Sequence, residues 1–346
     1  MRFIFSTILL LITLGCSNVK KTNSELNFEG IEGKKEFSST SYITAGDRLY
    51  AIGAQNGTFP EIGWHIQNEM GGVWNHPIKL LDGYKTIIKK DDSSEELVDA
   101  FFINYPYGTK FIYELEKLNL SVEQFQFSPD QHQGLIVEYT ITNEATLPFK
   151  GKLEFQSSFD LRPTWLGERS NMIDGEDIVE FIEDENIISA KDSKNSWFSL
   201  ISSSEILLDS KIISNNYKGN GAATSSQIDL SINANSSKKI QFFISGSYQN
   251  IAESRQELIE LKNNHDSLLE KKKLRFKNIE EQSKLTTSDP EFDKVYRWLK
   301  YNSEWFIREV PQIGRGIAAG YPDYPWWFGC DSEYALKGYL SIGQFD

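Results

Sequence analysis

The sequence runs to 346 residues with a formal net charge of −13, 39% apolar residues and 13% aromatic residues. That length favours two domains, and the apolar share is enough to fill at least one sizeable core. The acidic balance argues against a nucleic-acid partner, because no basic surface is available to release counterions from phosphates. The longest basic run, Lys271 to Lys273, has acidic neighbours in a helical stretch and reads as a solvated face.

From the N-terminus, Met1-Arg2 and the apolar run Phe3 to Leu14 predict an export signal, since about a dozen apolar residues are too few to span a bilayer. The run closes on Thr13-Leu14-Gly15-Cys16, which resembles a bacterial lipoprotein processing site, with Thr13 where Leu is usual. The expectation is a signal peptide over 1–16 with Cys16 lipidated, placing the protein in the bacterial cell envelope, at the outer membrane or periplasmic face. Cys330 is the only other cysteine. With Cys16 lipidated no internal disulfide is available, and stability must come from core size.

Residues 17–40 are polar and rich in Ser, Asn, Lys and Glu, and are expected to be a tether. From 41 to 248 the chain reads as strand after strand. Leu135, Val137, Tyr139 and Ile141 alternate with Glu138, Thr140 and Thr142 and stop at Asn143, the pattern of a half-buried antiparallel strand. Leu118, Leu120 and Val122 repeat it, as do Ile228, Leu230 and Ile232, then Ile240, Phe242 and Ile244. Turn-formers at Ser128-Pro129-Asp130, Asn215-Asn216 and Gly219-Asn220-Gly221 punctuate the strands. Many short strands with few helices predict a large antiparallel β-sandwich.

Near residue 250 the pattern changes. Residues 249–287 read as a helical linker, one helix or two short ones, with an incomplete apolar stripe at Leu258, Leu261, Leu268 and Leu269. Ser288-Asp289-Pro290-Glu291 is a capping box with proline in the first turn. Phe292, Val295, Tyr296, Trp298 and Leu299 continue a helix to about Ile307, ended by Pro311 and Gly314. A further helix is expected over Ser332 to Leu340.

The densest segment is Gly320 to Leu336. Tyr321, Tyr324, Trp326, Trp327 and Phe328 place five large aromatics within eight residues, stiffened by Pro322 and Pro325 and followed by Asp331. Two readings stand. The rings wall a cavity in which their faces meet the C–H surfaces of a sugar and a carboxylate accepts its hydroxyls; or they seal a domain junction and Asp331 is a helix N-cap. Elsewhere His65, Glu69, His76 and Asp82 raise the question of a metal. Their spacing fits no standard ligand pattern, so no metal is assigned, and no cofactor is called for. Trp64 and Trp74 are expected at a domain interface, Lys79 or Asp82 near the mouth of the second domain, and Arg162 beside Trp165 in an ion pair.

Ala319-Gly320-Tyr321-Pro322 followed by Tyr324-Pro325-Trp326-Trp327-Phe328-Gly329-Cys330-Asp331-Ser332 resembles the first inter-helix loop of the (α/α)6-barrel glycosidases, in particular the bacterial glycogen-debranching (amylo-α-1,6-glucosidase) group and its glucoamylase-like relatives. Gly63-Trp64-His65, Glu69 to Trp74, His76 to Gly83 and Asp160 to Trp165 resemble the N-terminal supersandwich that precedes such barrels. The resemblance covers roughly 45–346. It implies a mainly β protein: a supersandwich, a linker helix, and over 288–346 the first helices of an incomplete (α/α)6 barrel. It implies hydrolysis of α-glucosidic bonds in glycogen- or starch-like saccharides by inverting acid–base chemistry. Tyr324, Trp326 and Trp327 would wall the sugar and Asp331 would hold its hydroxyls. The family's arginine before that aspartate is Cys330 here, and a thiol cannot supply the forked donors of a guanidinium.

A barrel of twelve helices needs roughly 200 residues, whereas 57 remain from Pro290 onward. The expectation is therefore an N-terminal fragment. Its general acid and base, about 6.5–9.5 Å apart in inverting enzymes, are expected beyond residue 346, leaving this chain inactive alone and Trp298 and Trp305 without most of their partners. The alternatives are a non-catalytic glycan-binding lipoprotein and a lyase or epimerase with its catalytic residues within 41–248.

Overall fold

The computed structural model of the chain describes residues 26–345. The expected export signal and Cys16 lie outside the described residues.

Two antiparallel sheets stack on one another. One has nine strands, in the order Ile31–Glu32, Phe101–Tyr105, Gly108–Leu115, Leu120–Phe127, Gly134–Asn143, Ser236–Ser247, Phe198–Ser203, Ile187–Asp192 and Asp177–Ile182. The other has eight, in the order Leu208–Tyr217, Gly221–Ile232, Phe149–Phe159, Ile78–Lys90, Gly72–Asn75, Leu49–Ala54 and Ser41–Ala45, with Ser93–Glu96 also beside Ile78–Lys90. This is the sandwich that the alternating runs predict. Leu135, Val137 and Tyr139 lie opposite Ile244, Phe242 and Ile240, so the apolar members of both runs face one side and enter the inter-sheet core with Leu153, Phe155, Ile228 and Leu230. Asn143 ends its strand because its side-chain amide donates to the carbonyls of Leu147, Ile232 and Asn233, while its oxygen accepts from the Ala145 N–H.

The other face of the nine-stranded sheet is also apolar. Phe127, Ile136, Leu200 and Phe243 project there and are covered by Leu258, Leu261 and Leu268. These three leucines belong to α1 (Ile251–Gln282), one continuous helix of 32 residues capped by the Asn250 side chain. Gly134 permits the close approach, since a Cβ there would lie 2.3 Å from a methyl carbon of Leu261. At 1.5 Å per residue α1 is about 48 Å long, and its C-terminal half runs past the sheet to meet α2 (Pro290–Trp305). Asp289 caps α2, accepting from the N–H groups of Glu291 and Phe292.

Several expectations change here. Trp298 and Trp305 are buried, packed with Tyr301 against Phe276 and Ile279 of α1 and against Ala45, Tyr50, Ile52 and Trp74 of the sandwich. Their partners come from elements earlier in the chain. Trp74 is thus an interface residue, as its sequence context suggests. The polar stretch to residue 40 is not all outside the fold: Ile31–Glu32 pairs with Phe101–Tyr105, and the Phe28 ring lies 5.3 Å from Tyr107. Asn215-Asn216 lies inside a strand, Leu208–Tyr217, whose register against Gly221–Ile232 slips repeatedly. Pro311 and Gly314 mark the turn of a small hairpin, Ile307–Val310 with Gly314–Ile317, in which Arg308 and Val310 alternate inward. α3 spans Gly329–Ser341.

Candidate functional site

The tryptophan-rich loop folds back on itself after the hairpin: the backbones of Gly320 and Tyr324 exchange two hydrogen bonds, at 2.9 and 2.7 Å. Tyr321 turns inward, stacked on Phe306 and 4.5 Å from Tyr50. The rest of the loop lies on two sandwich loops. Asp323 Oδ1 accepts hydrogen bonds from the backbone N–H groups of Trp64 and His65, at 2.7 and 3.2 Å. Trp326 donates its indole N–H to the Trp165 carbonyl at 2.6 Å, and its ring lies 5.0 Å from His76. Trp327 covers Gly316, where a Cβ would come within 2.8 Å of the indole.

These ties assemble an aromatic platform. His65 stacks on Trp165, with centroids 3.6 Å apart and planes 14° apart, and Trp64 lies 3.7 Å from His65 on a tilt. Tyr324 stands edge-on to both His65 and Trp165. Trp64 is 62% exposed and Tyr324 41%, so the platform faces solvent. Beside it opens a hollow of about 390 Å³ lined by His65, Ile66, Arg162, Trp165, Glu168, Met172 and Asp174 among others. His65 Nε2, Arg162 Nε and Asp174 Oδ1 are buried there and have no hydrogen-bond partner among the described residues. A buried polar atom without a partner is costly, so this wall is prepared for a ligand or water carrying both donors and acceptors.

A charge cluster lies beneath the hollow. The Lys79 ammonium is buried and donates to Asp82 Oδ1 at 2.5 Å, Asp160 Oδ2 at 2.8 Å, and Glu69 Oε2 at 3.3 Å. The carboxylates of Glu69, Asp82 and Asp160 converge closely enough to hold a cation, and the cation they hold is this ammonium. Arg162 adds contacts to Glu69 at 3.5 Å and Asp160 at 3.7 Å, the ion pair its sequence position suggests. Lys218 and the Tyr217 hydroxyl close on the other oxygen of Asp82, at 2.7 and 2.6 Å.

Burial raises the Asp82 carboxyl, but the Lys79 charge, reinforced by Lys218 and Tyr217, outweighs it and brings the group down to about 2. Glu69 moves the other way: burial dominates, and its acidic neighbours add to it. Nearby, burial pushes Asp177 up to about 8 against the hydrogen bond from the Leu161 N–H, with Asp160, Asp174 and Asp192 contributing. Burial and the Arg308 charge keep His76 neutral.

Of the residues singled out in the sequence, Tyr324 joins the platform. Trp326 and Trp327 hold the loop against the sandwich and the hairpin. Asp331 is exposed in the first turn of α3 and makes no side-chain hydrogen bond or ion pair among the described residues. It is not an N-cap: that position is Phe328, and no side chain caps the helix. Cys330 is exposed. His65, Arg162 and Trp165 drew attention in the sequence as possible metal, packing or ion-pair residues and through the segments that resemble the supersandwich, but their meeting with one another, with Asp174 and with the loop was not read there. Nothing local announces them, because the stack joins positions a hundred residues apart.

No protein-family model matches the chain, and no curated protein does. Among solved structures the fold is similar to a protein assigned as a kojibiose phosphorylase from the human microbiome, with TM-score 0.54 and 12% identity over 83% of this chain. It is likewise similar to a bacterial glucoamylase solved with acarbose, with TM-score 0.52 and 13% identity over 81% of this chain. The chain spans 42% of the length of each of these proteins. At such identities the likeness is one of fold: a large antiparallel sandwich leading into helices.

Proposed function

We propose that this chain is the sandwich and opening helical portion of an exported, lipid-anchored glycoside hydrolase that cleaves α-glucosidic bonds of glycogen- or starch-like saccharides by inversion. The observation that carries the reading is the His65–Trp165 stack with Tyr324 edge-on beside a hollow of unpartnered polar groups. Ring faces suit the C–H surface of a pyranose, and Arg162 with Asp174 suits its hydroxyls. In this reading Asp331, without a side-chain partner among the described residues, also takes hydroxyls, and Trp326 and Trp327 hold the wall. The general acid and base come from helices beyond those described. Half-exposed apolar residues on α2 (Phe292, Val295, Leu299) and α3 (Tyr334, Leu336, Leu340) are the faces such helices would cover.

Affinity electrophoresis tests this: migration slowed by glycogen or starch but not by cellulose is expected, and equal migration in all three gels contradicts it. A second reading, a non-catalytic glycan-binding lipoprotein, is favoured by one observation: Trp64, His65 and Trp165 all belong to the sandwich. It predicts retardation undiminished in Asp331→Asn.

A further inference from the structure

We propose that the hollow beside the aromatic platform sorts saccharides by charge, taking neutral and amino-substituted rings and rejecting rings that carry carboxylate, sulfate or phosphate. This selectivity rests on the junction being the saccharide site, and it names the class of ring that site accepts.

The cations nearest the hollow are engaged beneath it. Lys79 holds Glu69, Asp82 and Asp160, and Lys218 meets Glu61, Glu69 and Asp82. Arg162 Nη1 lies 3.5 Å from Glu69 and 3.7 Å from Asp160. Two carboxylates of the lining, Asp174 and Glu168, are left without an ion-pair partner among the described residues. The Lys194 ammonium donates to the main-chain carbonyl of Asp174 at 2.9 Å, not to its carboxylate. Asp174 Oδ2 accepts from the Asn220 amide at 2.9 Å, whereas Oδ1 is buried and has no hydrogen-bond partner among the described residues.

The balance at this wall is therefore acidic, and Asp174 itself registers it. Burial lifts its carboxyl above the ordinary value and the Asn220 bond opposes that. Asp160 and Asp192 raise it further against the Arg162 charge.

The charge on an incoming ring then decides. A hydroxyl or an ammonium supplies the donor that Asp174 Oδ1 lacks, and an ammonium gains further from the π faces of the platform. A carboxylate, sulfate or phosphate brings acceptors to an acceptor, and its charge meets Asp174 and Glu168 beside a wall partly shielded from water. The free Nε–H of Arg162 serves a hydroxyl as well as an anion, because Glu69 and Asp160 already balance the guanidinium.

The test compares three trisaccharides that differ only at C6 of every ring: maltotriose, its 6-amino-6-deoxy form and its 6-carboxyl form. Each is titrated into the full chain by calorimetry at pH 7 and low salt. The carboxyl form is expected to bind at least about tenfold more weakly than maltotriose, and the amino form at least about threefold more tightly. Glu168→Gln combined with Asp174→Asn is expected to bring the three within about twofold of one another. Raising the salt should narrow the same spread in the unaltered protein, whose folding is not in question. A carboxyl form that binds as tightly as maltotriose overturns the charge selection and leaves the junction as a saccharide site. A spread left intact by both the double variant and salt does the same. Failure of all three sugars to bind overturns the junction as a saccharide site, and the charge selection with it.

Discussion

Asp323 in the tryptophan-rich loop accepts a hydrogen bond at 2.7 Å from the backbone N–H of Trp64, 259 positions earlier. One carboxylate oxygen thus holds the tip of a sandwich loop against the loop that precedes α3, and it takes the His65 N–H as well. Removing it should release the platform. Asp323→Ala is expected to cost about 1–3 kcal/mol, since charge-assisted bonds are worth more than neutral ones. It should also speed amide exchange at Trp64 and His65. Denaturant titration with hydrogen exchange checks this, and Asp323→Asn should lose less.

Lys79 is the counter-ion for three carboxylates. Lys79→Met leaves Glu69, Asp82 and Asp160 facing one another with only Arg162 and Lys218 nearby, and is expected to cost about 3–5 kcal/mol at pH 7. The sign with pH follows from Asp82. Its carboxyl is held down to about 2 when folded, so its contribution is fully present above the ordinary carboxylate value and is lost as pH falls toward 2. The variant's deficit should therefore shrink between pH 5 and pH 3, read from urea midpoints.

Asp177 behaves oppositely. Its folded carboxyl sits at about 8, so the native state keeps a proton that the unfolded state gives up near 4. Stability should fall as pH rises between those values. Asp177→Asn, which still accepts from the Leu161 N–H, should flatten that slope and at pH 8 be more stable than the parent by about 1–3 kcal/mol. Melting temperatures across pH 5 to 8 decide it; parallel curves would place the titration elsewhere.

The sandwich was legible because period-two runs such as Leu135 to Ile141 and Ile240 to Ile244 report directly which side of a strand is buried, and the structure sets these two side by side. The α1 stripe was legible only over Leu258 to Leu269. There the helix lies on a sheet, whereas Phe276 and Ile279 belong to a different neighbour, so one periodicity cannot describe both halves. The density of rings in 321–328 drew attention to that loop. Tyr324 was singled out with it, but its meeting with His65 and Trp165 was not legible, because the three rings converge from distant segments. The Lys79 cluster was hidden for the same reason: Asp160 lies 81 positions away. Asp331 follows a loop in the manner of a cap, yet α3 begins two residues earlier, at Gly329, and leaves it in the first turn.

The eight tryptophans offer the most direct measurement. Assigned indole N–H resonances recorded during a maltotriose titration report each ring separately. Trp64 and Trp165 should shift, Trp326 should follow through its bond to the Trp165 carbonyl, and the interior rings of Trp74, Trp197, Trp298 and Trp305 should stay in place. A titration in which Trp64 and Trp165 remain unmoved while saccharide binds elsewhere, or does not bind, would contradict the account.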